Sequence, residues 1–237
     1  MHLFYTPEDV KETGHCLDEK ESGHCVKVLR LKEKDTIFLT NGKGTLHKAE
    51  ISRAHPKKCM VEITETRYNY GKKDFFLHIG IAPPKSADRF GFFLEKCTEI
   101  GIDKITPMLC FHAERKQINT QRMNRVITAA MKQSFKAFHP ELNKMAAWKE
   151  ILKIDFPGQK FIAHCKNTEK SSLINCYKPL KNAFILIGPE GDFSDKEIQE
   201  AVMNGFIEIT LGNSRMRTET AGVAACHIIN LLNSNQL

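Results

Sequence analysis

Hydrophobic and polar positions change their period partway along the chain. In the first part apolar residues recur at every second position in short runs: Cys25–Leu31, Thr36–Leu39, Leu46–Ile51 and Cys59–Thr66. Such alternation predicts half-buried strands. Asn41-Gly42-Lys43-Gly44 reads as the hairpin turn between the second and third. Several short strands joined by turns predict a small barrel or sandwich. Tyr68–Lys73 is polar, contains Gly and reads as a linker.

From Asp74 strands alternate with helices. Phe75–Ala82 predicts a strand that stops at Pro83-Pro84. Ala87–Ile100 predicts a helix with Phe90, Phe93, Leu94, Cys97 and Ile100 on one face, ended by Gly101. Lys104–Cys110 reads as a strand whose Pro107 implies an edge or a bulge. Gln121–Phe138 predicts a helix with Met123, Ile127, Ala130, Met131, Ser134 and Phe138 on its apolar arc. Further strands are predicted at Lys160–Cys165, Ala183–Ile187 and Phe206–Leu211. A last helix over Thr218–Leu232 is apolar on most sides and reads as buried. The order implies an α/β domain with a mostly parallel sheet.

Charge adds one feature. The net charge is +7, but residues 111–150 hold 8 Lys/Arg against 3 Asp/Glu, while 151–237 hold 9 of each. On the helix Gln121–Phe138 the arc opposite the apolar one carries Arg122, Arg125, Lys132, Gln133 and Lys136. A face almost free of acids predicts phosphate contacts, which need positive charge that nothing neutralises. The 8 cysteines include no C-x-x-C pair, so zinc spacings and a disulfide framework are not expected. No metal site is predicted. The N-terminus shows no signal peptide and no run reaches the length of a membrane span, so a cytoplasmic protein with reduced thiols and no membrane partner is the expectation.

Candidate chemistry lies where three strands end. ILIGPEGDFSDKEI (Ile185–Ile198) breaks from an apolar strand into Gly188-Pro189-Glu190-Gly191. It then starts a helix, Asp195–Asn204, behind a Ser194/Glu197 capping box. LGNSRMRTETA (Leu211–Ala221) again passes from a strand through Gly212 into a helix start, with Arg215 and Arg217 in the loop. FIAHC ends at His164, which reads as a hydrogen-bonded loop residue rather than a base. In open α/β sheets ligands sit at such carboxyl ends. The loops could form one crevice of backbone N–H and C=O groups, suited to a flat heterocycle. A P-loop, a G-x-G-x-x-G dinucleotide fingerprint and a G-x-S-x-G elbow are all absent from the sequence.

GPEG together with LGNSRMRTETA resembles the SPOUT superfamily of methyltransferases, and most closely its RsmE family, which makes N3-methyluridine in small-subunit (16S) ribosomal RNA. The resemblance extends to Lys85, Arg89 and Glu95–Gly101, to Pro107, Glu114-Arg115, Gln133-Ser134 and Pro140, and to His24, Val28–Leu31 and Asn41–Gly44. Asp192 stands where the family has the second Gly of GPEGG, Ser214–Arg217 replaces a more apolar run, and Lys132 stands where an acid is common.

The resemblance implies a PUA-like β-barrel over residues 1–70, binding RNA, and a SPOUT α/β domain over 74–237 with a C-terminal trefoil knot. It implies S-adenosylmethionine as cofactor and a homodimer as the working form. The cofactor site would comprise His164, Ile187, Gly188, Pro189, Glu190, Gly191, Leu211, Gly212, Ser214, Met216 and Arg217. Arg217 would stabilise charge on the target base, with Glu190 orienting cofactor or base. Arg30, Lys85, Arg89, Arg115, Arg122, Arg125, Lys132, Lys136 and Arg215 are the candidate RNA contacts, the RNA being free or in an assembled subunit. Two alternatives stand beside this: a non-catalytic RNA-binding protein, and a SPOUT methyltransferase acting on another RNA position.

Overall fold

The structure is a computed structural model that describes residues 1–10 and 14–234. The chain forms two units, residues 1–72 with 131–139, and residues 73–130 with 140–237.

The first unit contains β1 (Leu3–Tyr5), β2 (His15–Cys16), α1 (Glu19–Gly23), β3 (Thr36–Thr40), β4 (Leu46–Arg53) and β5 (Met60–Arg67). They make a mixed five-stranded sheet in the order β1-β3-β4-β5-β2, with β1 parallel to β3 and the other pairs antiparallel. The hairpin turn lies at Asn41–Gly44, where Asn41 Oδ1 accepts from the Lys43 N–H (2.9 Å). Phe4, Ile37, Leu39, Ile51 and Val61 supply the core.

One expected strand is absent. Cys25–Leu31 does not extend; α1 runs straight into a π-helical turn, His24–Val28. Asp18 caps this helix by accepting from the Glu21 N–H at 2.7 Å. Ser22 and Cys25, three apart, face the sheet. Ser22 Oγ donates to Leu17 O (3.0 Å) and accepts from the Cys59 N–H (2.9 Å). Val28 is left 66% exposed, which a half-buried strand would not allow.

The second unit contains β6 (Leu77–Ile81), α2 (Ala87–Ile100), β7 (Lys104–Leu109), α3 (Thr120–Gln133), β8 (Glu141–Leu142), β9 (Ala146–Ala147) and α4 (Trp148–Leu152). After these come β10 (Gln159–Ala163), β11 (Ser171–Ser172), α5 (Leu173–Cys176), β12 (Ala183–Ile187), α6 (Asp195–Met203), β13 (Ile207–Thr210) and α7 (Thr218–Ser234). The last residues of α3, from Met131, fall in the first unit. The strands form one parallel sheet, β11-β13-β10-β12-β6-β7-β8, with β9 also on β7.

β12 shows why its sequence is apolar throughout. Ile185 and Ile187 pack on one face with Phe93 and Leu94 of α2 and with Ala225 and Ile229 of α7. Phe184 and Leu186 pack on the other with Trp148, Phe193 and Ala201. A strand covered on both faces has no polar side to alternate with. Three further expectations shift. Pro107 is neither at an edge nor in a bulge: β7 is interior, and its outer ladder is interrupted there, β8 pairing Lys104–Ile105 and β9 pairing Met108–Leu109. α3 stops at Gln133, short of Phe138, because Phe135 takes φ +56°. α7 buries a stripe (Gly222, Ala225, Cys226, Ile229, Asn233) rather than most of its surface, and Leu231 is half exposed. Among the described residues no helix is long and apolar enough to cross a membrane, all cysteines are free thiols, and no cluster of metal-ligating side chains occurs.

Candidate cofactor cleft of the parallel sheet

The register of the sheet decides where its loops meet. Ala163 of β10 pairs with Ile187 of β12 on one side and with Ile209 of β13 on the other. The three strands therefore end level, and their loops leave side by side. After β13 the chain turns back, and α7 packs on α2, β6 and β12. The loop 211–217 thus joins the other two around one cleft of about 430 Å³. That volume lies in the range of pockets that take a small organic cofactor, roughly 300–1,000 Å³.

The first wall is Ile187–Asp192. The Thr218 hydroxyl, at the start of α7, donates to Gly188 O at 3.0 Å, tying this loop to the helix that follows the second loop. A Cβ on Gly188 would lie 3.0 Å from two carbons of the buried Phe193 ring, so this position needs glycine for close approach. Asp192 takes φ +65°. Glycine enters that region freely, and Asp is among the few other residues that tolerate it. The pattern that the sequence resembles has Gly here. The Asp192 carboxylate is used: Oδ2 accepts from the Cys165 N–H and Oδ1 from the Phe193 N–H, both at 2.8 Å. It clips the loop after β10 to the loop after β12. Glu190 is exposed, and its Oε1 accepts from the Lys85 N–H at 3.1 Å.

The second wall is Leu211–Arg217. Leu211, Met216 and Ala221 give the cleft apolar surface, and Gly212 stands at φ +140°. Arg215 and Arg217 are exposed at the cleft and make no ion pair or side-chain hydrogen bond among the described residues. Both guanidiniums are therefore available to a ligand. Arg89 also lines the cleft, but its Nε sits 3.7 Å from the buried carboxylate of Glu219 in the first turn of α7.

The third wall is the end of β10. The His164 side chain is fully buried and its Nε2 lies 3.0 Å from Glu208 Oε1. Lys170 Nζ donates to His164 O (2.9 Å) and faces Nδ1 (3.3 Å). Burial lowers the His164 pKa, Lys170 pushes the same way and Glu208 opposes them. The ring is thus neutral and spent on structure, and His164 meets the cleft through its main chain.

The expected cofactor residues therefore come together, with the exception of Gly191, which is exposed and packs against His112 instead of lining the cleft. The expected RNA contacts are more mixed. Arg125 is exposed and unpaired among the described residues, while Arg122 bonds Asp88 at 3.0 Å in the open. Arg115 donates to Pro84 O (3.0 Å) and to Lys85 O, fixing the bend after β6. Lys85 pairs with Glu114 at 2.9 Å. In the first unit, Arg30 is exposed at φ +56°. Lys132 there is bridged to Glu21 at 2.6 Å, with both side chains mostly buried, and Lys136 is half-buried. Sequence reasoning missed Asp192, Cys165, Thr218 and Glu219. The departure from glycine at 192 was the one signal available for the first. Thr218 and Glu219 look like ordinary helix-start residues.

A family model for an RNA methyltransferase domain matches residues 72–230, and one for an RNA methyltransferase PUA domain matches residues 17–64. The chain belongs to this family of RNA methyltransferases. Among its relatives, the ribosomal RNA small subunit methyltransferase E of Mesomycoplasma hyopneumoniae is 29% identical over 94% of this chain and 96% of its own. That of Rickettsia conorii is 28% identical over 88% and 85%. Among solved structures, a probable rRNA-methyltransferase from Porphyromonas gingivalis is 34% identical over the whole of both chains, with a TM-score of 0.93. The ribosomal RNA small subunit methyltransferase E of Neisseria gonorrhoeae, solved bound to S-adenosyl methionine, is 25% identical over 98% of each chain, with a TM-score of 0.89.

Proposed function

We propose that this protein transfers the methyl group of S-adenosylmethionine to N3 of a uridine in small-subunit (16S) ribosomal RNA. The observation that carries the reading is the convergence of three level strand ends on one cleft that also holds Arg217, a guanidinium unpaired among the described residues. The family membership and the names of the relatives support the same chemistry.

The cleft fits the cofactor on its own terms. Glycine at 188 lets the wall loop pack closely on the buried Phe193 ring behind it. Ile187, Leu211 and Met216 offer apolar contact to a heterocycle and its sugar, and the loop backbones at Gly188 and Gly212 offer polar partners for its edges. When bound, S-adenosylmethionine supplies an electrophilic methyl group on a sulfonium.

The chain's residues do the rest. Methyl transfer is a direct displacement, so placement matters more than covalent help. The uracil N3–H gives its proton to solvent water during the reaction, and negative charge spreads to the flanking carbonyl oxygens. Arg217 stays protonated and presents planar donors to that charge. Arg215 grips phosphate or shares the role. Glu190 acts as an orienting group, holding the Lys85 backbone against the cleft rim. Arg89, neutralised in part by Glu219, positions the start of α7. The target base leaves its stack to enter.

In this reading the protein is a cytoplasmic homodimer, residues 1–70 form a PUA-like RNA-binding barrel, and residues 74–237 form a SPOUT domain. The return of the chain from β13 to α7 is then the passage that closes a trefoil knot. Lys85, Arg122, Arg125 and Arg215 contact RNA phosphates, and Arg30 and Lys136 do so from the first unit. The test separates two steps: Arg217→Ala is measured for S-adenosylmethionine binding by calorimetry and for methylation of 16S RNA by nucleoside mass spectrometry. Retained binding with turnover reduced by about 10²-fold or more is expected for loss of such a donor. Unchanged turnover removes Arg217 from the mechanism, and a protein that takes up no S-adenosylmethionine ends the enzyme reading.

A further inference from the structure

Phe111, in the turn after β7, is 78% exposed. Its backbone is nevertheless held firmly. The Phe111 N–H donates to Glu197 Oε1 at 2.8 Å, and Glu197 is a buried carboxylate whose other oxygen accepts from Ser194 at the start of α6. The Ala113 N–H bonds Cys110 O at 3.0 Å, closing the turn on two buried residues. His112 meets the Phe111 ring edge-on, with centroids 4.9 Å apart and planes at 76°, and its Nδ1 lies 3.0 Å from Asp192 O. Asp192 lines the cleft. A bare aromatic ring on an anchored backbone therefore lies one side chain, His112, away from a residue of the cleft wall.

Covering a ring of this size is worth roughly 1.5–3 kcal/mol. The surroundings say by what. Lys116, five residues on, is exposed and unpaired among the described residues, and Arg215 and Arg217 at the cleft are unpaired as well. A ring linked through His112 to a wall of the cleft that Arg215 and Arg217 also line suits a base on a polyanionic strand entering that cleft. It suits an apolar protein face less well, because that face would leave those cations without partners.

We propose that Phe111 is a stacking platform for an unpaired nucleobase of the RNA next to the nucleotide being methylated. The proposal rests on the functional reading above and deepens it. Drawing one base into the cleft strips its neighbour of a stacking partner, and an aromatic face replaces that partner whatever the base. His112 is the positioning residue that ties the ring to the cleft wall.

The test uses the full-length protein. Phe111→Ala is expected to raise the KM for RNA about tenfold or more, the loss of one base–aromatic stack. Its kcat and its S-adenosylmethionine affinity by calorimetry stay near the parent values, and Phe111→Tyr restores the KM. Phe111→Trp adds a reporter, because Trp148 is the chain's single tryptophan and is buried. Fluorescence of the introduced indole is quenched by a uridine-containing RNA oligonucleotide and not by heparin, a polyanion without bases. The proposal is overturned if Phe111→Ala keeps its KM within about twofold, or if RNA leaves the indole unquenched. It is overturned equally if Phe111→Ala elutes as a smaller species in gel filtration, which assigns the ring to contact between copies. A parent protein that methylates no RNA sinks the functional reading itself, and the platform with it.

Discussion

Replacing Asp192 separates two physical roles at one residue. Its carboxylate accepts two backbone N–H bonds at 2.8 Å, and its backbone stands at φ +65°. Asp192→Ala removes both acceptors, about 1 kcal/mol each at this half-exposed position, and leaves a Cβ in the left-handed region without the local bonding that lets Asp tolerate it, roughly 1 kcal/mol more. The expected loss is about 3 kcal/mol. Asp192→Gly gives up the same bonds but relieves the backbone, for a net loss of about 1 kcal/mol. Asp192→Asn keeps one acceptor and the tolerance of positive φ, and also loses about 1 kcal/mol. Urea unfolding gives the three values. Calorimetry with S-adenosylmethionine then shows whether unclipping the Cys165 loop weakens cofactor binding, as expected in all three variants. Equal losses for Ala and Gly refute the backbone argument. An Ala variant as stable as the parent refutes the claim that the carboxylate holds the two loops together.

Two further outcomes follow from packing and burial. Gly188→Ala places a methyl 3.0 Å from the ring of Phe193, which is itself fully buried against Trp148. A stability loss of about 1–3 kcal/mol with weaker cofactor binding is expected, read by thermal unfolding and calorimetry. His78 is buried, stacks on Phe184 at 4.1 Å, bonds Thr106, and has its pKa pushed down to about 3 by burial. Its folded value lies below its unfolded one, so the unfolded chain binds the extra proton, and its stabilisation is lost as pH falls from about 6.5 toward 3. Between pH 7 and 5 the parent should lose about 2 kcal/mol more than His78→Gln in urea titrations. Parallel pH profiles would refute the assignment.

The second unit was readable because its strands are buried on both faces and its loops carry glycine. Ala183–Ile187 and the Ser194 cap with Glu197 fall where the sequence placed them, and both arms of the capping box are made. The first unit was harder. In a run as short as CVKVLRL, period two and a helical stripe differ by few residues. The deciding contacts, Asp18 on Glu21 and Ser22 on Leu17 and Cys59, lie outside the run. The end of α3 depended on one backbone angle at Phe135, which no periodicity encodes. At the cleft, motif residues were found and their partners were not. Glu219 beside Arg89 and Thr218 beneath Gly188 act across 130 and 30 positions of sequence.

The doubling back of the chain after β13 has a consequence for synthesis. The cleft draws on residues as far apart as Arg89 in α2 and Ala221 in α7, and a single hydroxyl on the first turn of α7 secures the loop after β12. A nascent chain that has emerged only as far as β13 holds most of the sheet but lacks the wall that completes the binding surface. Contacts so distant in sequence form late. In the proposed reading, a chain that still lacks α7 cannot take up the methyl donor and so cannot modify RNA.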